Sequence, residues 1–300
     1  MKEIKLIKGC GRTGNFIICL LNAIVYAIKN DYDEIDFSKI HWSPSPTINN
    51  TIVNSFFKQY RIPLSEAARS VKQVENEKTH IFEISTERFY RTVPLTFEER
   101  IKYIKKYISP IMKLTPQKIG ENDLVIHLRS GDIIVSGNSD MIQPPLEFYI
   151  KVIESRKWDK IYVITEKKPL NPIFNALVDK YDVITFIDDK RGKQNGYNFK
   201  KDFDYLIGAK HYVPCQSSLC PFIIQVSTTI KHVYVPSYYF ILLNASHNWW
   251  TKTLYKKKNT VKINDIQFNI YDYDKYIKAK KMMYMYKDNE NKDLLINYKS

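Results

Sequence analysis

The chain has 300 residues, 44% of them hydrophobic and 26% charged, with a formal net charge of +14; this is the make-up of a globular protein that can bury a sizeable core, not of a disordered or collagen-like chain. The basic excess favours an acidic partner such as a nucleotide phosphate, nucleic acid, an anionic glycan or a membrane surface. Its lysines are spread along the whole chain beside many Asn and Ile, the pattern of a biased base composition rather than of one dedicated nucleic-acid face.

In chain order, residues 4–7 (IKLI) predict a strand and Phe16 to Ile28 a helix, with Gly9, Gly11 and Gly14 between them at G-x-G-x-x-G spacing. Such a loop sets backbone N–H groups and a helix N-terminus against a phosphate, as in nicotinamide and flavin sites. The motif alone also matches any strand-to-helix turn made without side chains. DEIDF (33–37) is a short polar strand, unlike the central parallel strand expected after a nicotinamide loop, although Asp36 could serve a ribose. HWSPSPTINN (41–50) predicts a loop and THIFEIS (79–85) a strand. A helix follows over 96–112, opened by a Thr96–Glu99 capping box and disturbed near its end by Pro110. Residues 114–123 read as an interdomain linker.

The second half alternates strands at 124–129, 160–165, 182–187, 211–214 and 232–236 with helices at 146–155, 172–180, 203–209 and 217–227. That rhythm predicts βαβ units, a parallel sheet covered on both faces, and a Rossmann-like domain over about 120–240. From Thr251 the lysine- and tyrosine-rich sequence predicts a mobile or surface-packed extension, with its aromatics arguing against full disorder. Cys10, Cys19, Cys215 and Cys220 make no metal-ligand spacing and are too few for a disulfide scaffold, so reduced thiols are expected. No signal-peptide pattern and no apolar run near ~20 residues is present, so the expected setting is cytoplasmic, with peripheral association at a membrane surface as an option.

The stretch richest in chemistry is LVIHLRSGDI, which sets His127, Arg129 and Asp132 at the carboxyl end of a strand, where parallel sheets bind ligands. Arg129 offers a planar fork able to neutralise a diphosphate; the alternative is a buried Arg129–Asp132 ion pair beside a core histidine. In KDFDYLIGAKHYVPCQSSLCPF (201–222), Ser217 and Ser218 open a helix, either as caps or, with the N–H groups there, as phosphate ligands.

Together these segments resemble the fucosyltransferase superfamily, most nearly glycosyltransferase family 11, the α-1,2-fucosyltransferases, with kinship to the protein O-fucosyltransferases. The family's G-x-G-N loop is matched by Gly11-Arg12-Thr13-Gly14-Asn15 and its H-x-R-x-x-D motif by His127, Arg129 and Asp132. Its late segment is matched by Asp202, Phe203, Lys210, His211, Ser217 and Ser218, and its P-x-x-Y-Y helix by QPPLEFYIKVIE (143–154). The resemblance implies an α/β, GT-B-like fold of two Rossmann-like domains with an interdomain cleft: an acceptor-side domain over 1–115, a nucleotide-sugar domain over 120–245 and a terminal extension over 246–300. It implies inverting transfer of L-fucose from GDP-fucose to a glycan acceptor, without metal, other cofactor or nucleic acid. Arg129, helped by Ser217 and Ser218, would offset the leaving diphosphate. His127 would position the nucleotide, Asp132 would hold the loop, and Asn15 would approach the sugar beside the Gly11–Gly14 turn. Glu166, Asp188 or Asp189, at strand ends, could read the N–H donors of guanine. The chain departs from the family at Ser130, where a second Arg is common, at Phe16 in place of Gln, and at Cys220-Pro221-Phe222 in place of S-W-W. These departures leave the donor sugar and acceptor open. An NAD(P)-dependent oxidoreductase or epimerase using the Gly9-Gly11-Gly14 loop, and a basic nucleic-acid-binding protein, are the alternatives from other classes.

Overall fold

The computed structural model describes residues 2–9, 13–38, 41–42, 56–65, 80–85, 95–130, 143–165, 171–185, 199–217, 219–238, 260–273 and 295–299. The chain divides into two units, Met1–Thr115 and Pro116–Ser300.

The first unit opens with β1 (Lys2–Gly9) and α1 (Thr13–Lys29). Phe16, Ile17, Leu20, Leu21 and Ile24 of α1 are all buried, as are Ile4 and Leu6 of β1, so the helix is held by packing around most of its circumference. It stops in a left-handed turn at Asp31, φ 55°. There the Tyr32 N–H reaches back to the Ala27 carbonyl (2.9 Å) and the Tyr26 and Tyr32 rings pack 6.3 Å apart, closing the helix end as an αL cap does. β2 (Glu34–Asp36) and β3 (His41–Trp42) pair parallel with β1, β4 (Arg61–Pro63) runs antiparallel to β2, and β5 (His80–Ser85) pairs parallel with β1. Lys5 of β1 faces both Asp36 and Glu83 in register, so β2 and β5 occupy opposite edges and β1 is central.

β2 differs from the expectation of a polar, non-central strand. It lies between β1 and β4 with Glu34, Ile35 and Asp36 all buried. Arg61, across the ladder, reaches Glu34 at 3.4 Å and Asp36 at 3.5 Å, and Asp36 also accepts from the Ser38 N–H (2.8 Å). The carboxylate that could have served a ribose thus has protein partners. α2 (Phe97–Tyr103) begins with the expected capping box: Thr96 Oγ1 accepts from the Glu99 N–H (3.2 Å), and Glu99 accepts from the Thr96 N–H (2.7 Å). The helix then widens to a π-turn over Ile104–Ile108 and tightens to a 3-10 turn over Ser109–Ile111, where Pro110 has no N–H to continue it.

In the second unit β6 (Leu124–His127), α3 (Leu146–Glu154), β7 (Ile161–Ile164), α4 (Pro172–Lys180), β8 (Ile184–Thr185), α5 (Phe199–Gly208), β9 (His211–Val213), α6 (Leu219–Val226) and β10 (His232–Pro236) alternate as the sequence implied. β11 (Thr260–Ile263) and β12 (Ile266–Tyr271) follow. The sheet order is β11-β12-β10-β9-β6-β7-β8. From β8 to β12 the strands are parallel, with β11 antiparallel at the edge. Chain order runs outward one way through β6, β7 and β8 and the other way through β9, β10 and β12, the doubly wound arrangement whose switch point lies between β6 and β9. Leu124, Ile126, Phe148, Val152, Val163 and Leu177 form the centre of a buried cluster on this sheet.

The C-terminal stretch departs from the expected extension. β12 pairs in parallel register with all of β10, and Tyr273 and Leu295 are buried in the same core cluster. In IQFNIY the residues Ile266, Phe268 and Ile270 face the core, so alternation at period two, and not net charge, decided the fate of this segment. Among the described residues no helix is long and apolar enough to cross a membrane.

Candidate functional site at the switch point

β6 and β9 are neighbours, with Ile126 opposite Val213, so the segments leaving their carboxyl ends start side by side. The segment after β6 stays extended, because the Leu128 N–H bonds the Ile164 carbonyl at 2.9 Å. Ile126 and Leu128 are fully buried while His127 and Arg129 are half-buried, the alternation that puts both polar side chains on one face. Arg129 Nη1 donates to Ser217 Oγ at 2.8 Å, bridging the two diverging connections. Ser217 Oγ also accepts from the Leu219 N–H (3.3 Å), and the Ser217 carbonyl accepts from the Cys220 N–H (3.1 Å). The serine therefore caps α6 and orients the arginine at once. Of the two readings of Ser217, the cap is the one this geometry displays, and the same oxygen accepts from Arg129.

A residue not anticipated from sequence fixes this edge from the other side. Asn171, 1% exposed, caps α4 by accepting the Ile173 N–H (3.0 Å), donates from Nδ2 to the Arg129 carbonyl (3.0 Å), and its N–H donates to Ser130 Oγ (3.2 Å). Its signal was local: Asn before Pro172 at a predicted helix start.

His127 turns Nδ1 toward buried sulfur instead of outward. Nδ1 lies 3.2 Å from Cys220 Sγ, 3.5 Å from Cys215 Sγ and 3.3 Å from the Tyr212 hydroxyl, with the two sulfurs 3.7 Å apart. The Tyr212 hydroxyl donates to Cys220 Sγ at 3.3 Å. Burial and the Cys220 neighbour push the Cys215 thiol well up. Burial would raise Cys220 as well, but the bond from Cys215, the charge and hydrogen bond of His127 and the Tyr212 hydroxyl outweigh it and hold that thiol well below the ordinary range. Cysteines without recognisable ligand spacing along the chain are thus brought together with a histidine in space. Four residues between Cys215 and Cys220 let one follow β9 while the other enters the first turn of α6.

Of the other anticipated residues, Gly14 is buried in the first turn of α1 and Asn15 follows it. Phe16, at the position of the family's Gln, is core: its ring lies 6.0 Å from that of Phe37 and 6.1 Å from that of Phe57. Phe203 is also core, and Lys210 and His211 lie at the amino end of β9, away from Ser217. Gly11, Asp132, Glu166, Asp188, Asp189 and Ser218 lie outside the described residues.

A scan of protein-family models and a search of curated proteins give no match. Among solved structures the chain is similar to a crystal structure of POFUT1 in complex with GDP, at a TM-score of 0.42 and 12% identity, over 77% of this chain and 97% of that one.

Proposed function

We propose that this chain is an inverting glycosyltransferase of the GT-B type, which takes L-fucose from GDP-fucose and places it on a glycan acceptor. The carrying observation is the Arg129–Ser217 hydrogen bond spanning the switch point of the second unit, the place where doubly wound sheets hold nucleotide ligands. The ordered set of motifs supplies the sugar and the reaction class. As the acceptor oxygen bonds the anomeric carbon, the carbon–phosphate oxygen bond breaks and GDP leaves with the electron pair. The acceptor proton passes to a base. In this reading Arg129 and the positive end of the α6 dipole, with the hydroxyls of Ser217 and its sequence neighbour Ser218, face the developing diphosphate charge and supply the stabilisation that Mg²⁺ gives elsewhere. His127 positions the nucleotide, Asp132 holds the loop, Asn15 is the acceptor-side residue beside Gly11 and Gly14, and Glu166, Asp188 or Asp189 reads guanine.

Thermal shift with GDP, UDP, NAD and a short oligonucleotide, each with and without Mg²⁺, tests it. GDP should stabilise most, to the same extent with and without the cation. A response to UDP alone removes the fucosyl assignment, strict dependence on Mg²⁺ removes the metal-free mechanism, and a response to NAD or the oligonucleotide alone removes the transferase.

A further inference from the structure

We propose that His127, Cys215 and Cys220 form a binding site for a thiolate-preferring divalent cation, Zn²⁺ above all, which clasps the carboxyl end of β6 to the turn between β9 and α6. This goes beyond the transferase reading, because nothing in that chemistry calls for a metal.

The three donor atoms lie within 4.8 Å of one another, and their spacing is specific. Tetrahedral zinc with Zn–S of about 2.3 Å and Zn–N of about 2.0–2.1 Å sets its sulfurs about 3.8 Å apart and each nitrogen about 3.5 Å from a sulfur. Here the sulfurs are 3.7 Å apart, and His127 Nδ1 stands 3.5 Å and 3.2 Å from them. Three backbone elements meet at this point, so the spacing is a product of the fold and not of a short loop that would adopt it alone. Two thiolates and an imidazole are a donor set that selects zinc over Mg²⁺ or Ca²⁺, which take oxygen ligands. The Tyr212 hydroxyl, 3.3 Å from both Nδ1 and Cys220 Sγ, flanks the fourth corner as an oxygen ligand or as donor to a thiolate.

Binding would replace the thiol protons with one cation, releasing them to solvent, with no change in oxidation state. Because Cys215 and Ser217 are two residues apart, the cation would fix the turn that presents Ser217 to Arg129. It sits among buried sulfurs and would act by holding this turn, not as the group that meets the leaving diphosphate.

The test is metal content and cobalt spectroscopy on the whole chain, purified with reductant and without a metal-affinity step. One equivalent of zinc per chain is expected. Apoprotein titrated with Co²⁺ should show tetrahedral d–d bands and a thiolate-to-cobalt charge-transfer band. Cys220→Ser and Cys215→Ser should each weaken cobalt binding by more than the ~10–100-fold typical of losing an outer-shell partner. Because a serine variant can misfold, the wild-type titration stands as an independent arm: no charge-transfer band there overturns the site. Bands that persist unchanged in folded Cys220→Ser protein overturn it too. So does a non-reducing peptide map that links Cys215 to Cys220, which would mark the pair as a disulfide.

Discussion

The two ends of the same parallel sheet both gather histidines, tyrosines and basic residues, yet they are built differently. At the amino end, His211 bonds the Tyr234 hydroxyl (2.9 Å) and stacks on His232 with centroids 4.7 Å apart, and Glu121 pairs with Lys210 and with Lys231 (2.7 Å). Acid meets base there, and ring meets ring. At the carboxyl end the guanidinium of Arg129 bonds a neutral hydroxyl that is itself a helix cap, and an amide holds the backbone beneath it. Under the proposed function this second arrangement, at the switch point of the sheet, is the place for an anionic ligand.

Arg129 breaks this contrast most sharply. Arg129→Lys keeps the charge and loses the fork, and fucose transfer, or GDP-fucose hydrolysis, should fall ~10²–10³-fold with little change in melting temperature. Were Arg129 half of a buried pair with Asp132, Arg129→Ala and Asp132→Ala would each cost ~3–5 kcal/mol of stability. A folded Arg129→Ala protein with full activity would leave the carboxyl end no more functional than the amino end.

The amino end should answer to acid instead. Burial first, then the nearby charges of His232 and Arg156, lower His211 to about 4. Its ordinary value is 6.5, so below that pH the unfolded chain takes up a proton that the folded chain refuses. Stability should therefore fall as pH drops from 6.5 toward 4, by up to roughly 3 kcal/mol, and level off below. His232 is lowered too, by burial first, and acts in the same direction. Urea unfolding at pH 7 and pH 4.5 should show the loss in wild type and a smaller one in His211→Gln; equal slopes would place the acid sensitivity elsewhere.

Gly208, at the end of α5, is the other structural probe near that end. A Cβ there would lie 2.2 Å from the Gln117 carbonyl oxygen, which is backbone and cannot swing away, while the Gln117 N–H bonds the Asp204 carbonyl at 2.9 Å. Gly208→Ala should cost ~1–3 kcal/mol, the range for overpacking, with GDP affinity of the folded fraction unchanged. An undiminished melting temperature would show that the 116–118 segment yields.

What the sequence disclosed follows the same division. β6, β7, β9 and β10 fall within a residue or two of their predicted runs, because short β-branched stretches between helices are local signals. The placement of His127 and Arg129 at a strand end was equally local. Three features were not. The charge of the last fifty residues masked the alternation in β12, since composition weighs every residue alike while the fold uses every second one. Cys220 and His127 are 93 apart in sequence, and no spacing rule spans a crossover between non-consecutive strands. Glu34 and Asp36 make DEIDF read as a polar strand, and the partner that goes with their burial, Arg61, lies on another strand.

Asn171 sharpens the comparison with the smallest effect, because one side chain does both kinds of work. Its Oδ1 caps α4 and its Nδ2 holds the Arg129 carbonyl. Asn171→Ala loses both and should cost ~0.5–2 kcal/mol, the range for a helix cap. Asn171→Asp keeps an oxygen for the Ile173 N–H and adds a charge favoured at a helix N-terminus, so α4 stays capped. It loses the donor to Arg129, and its carboxylate then faces a carbonyl oxygen. If the carboxyl end is a functional edge, the Asp variant should stay near wild-type melting temperature yet bind GDP more weakly, whereas the Ala variant loses on both counts. Full GDP affinity in the Asp variant would mean that the guanidinium is oriented without Asn171, which would then belong with His211 and Gly208 among the residues that only hold the sheet together.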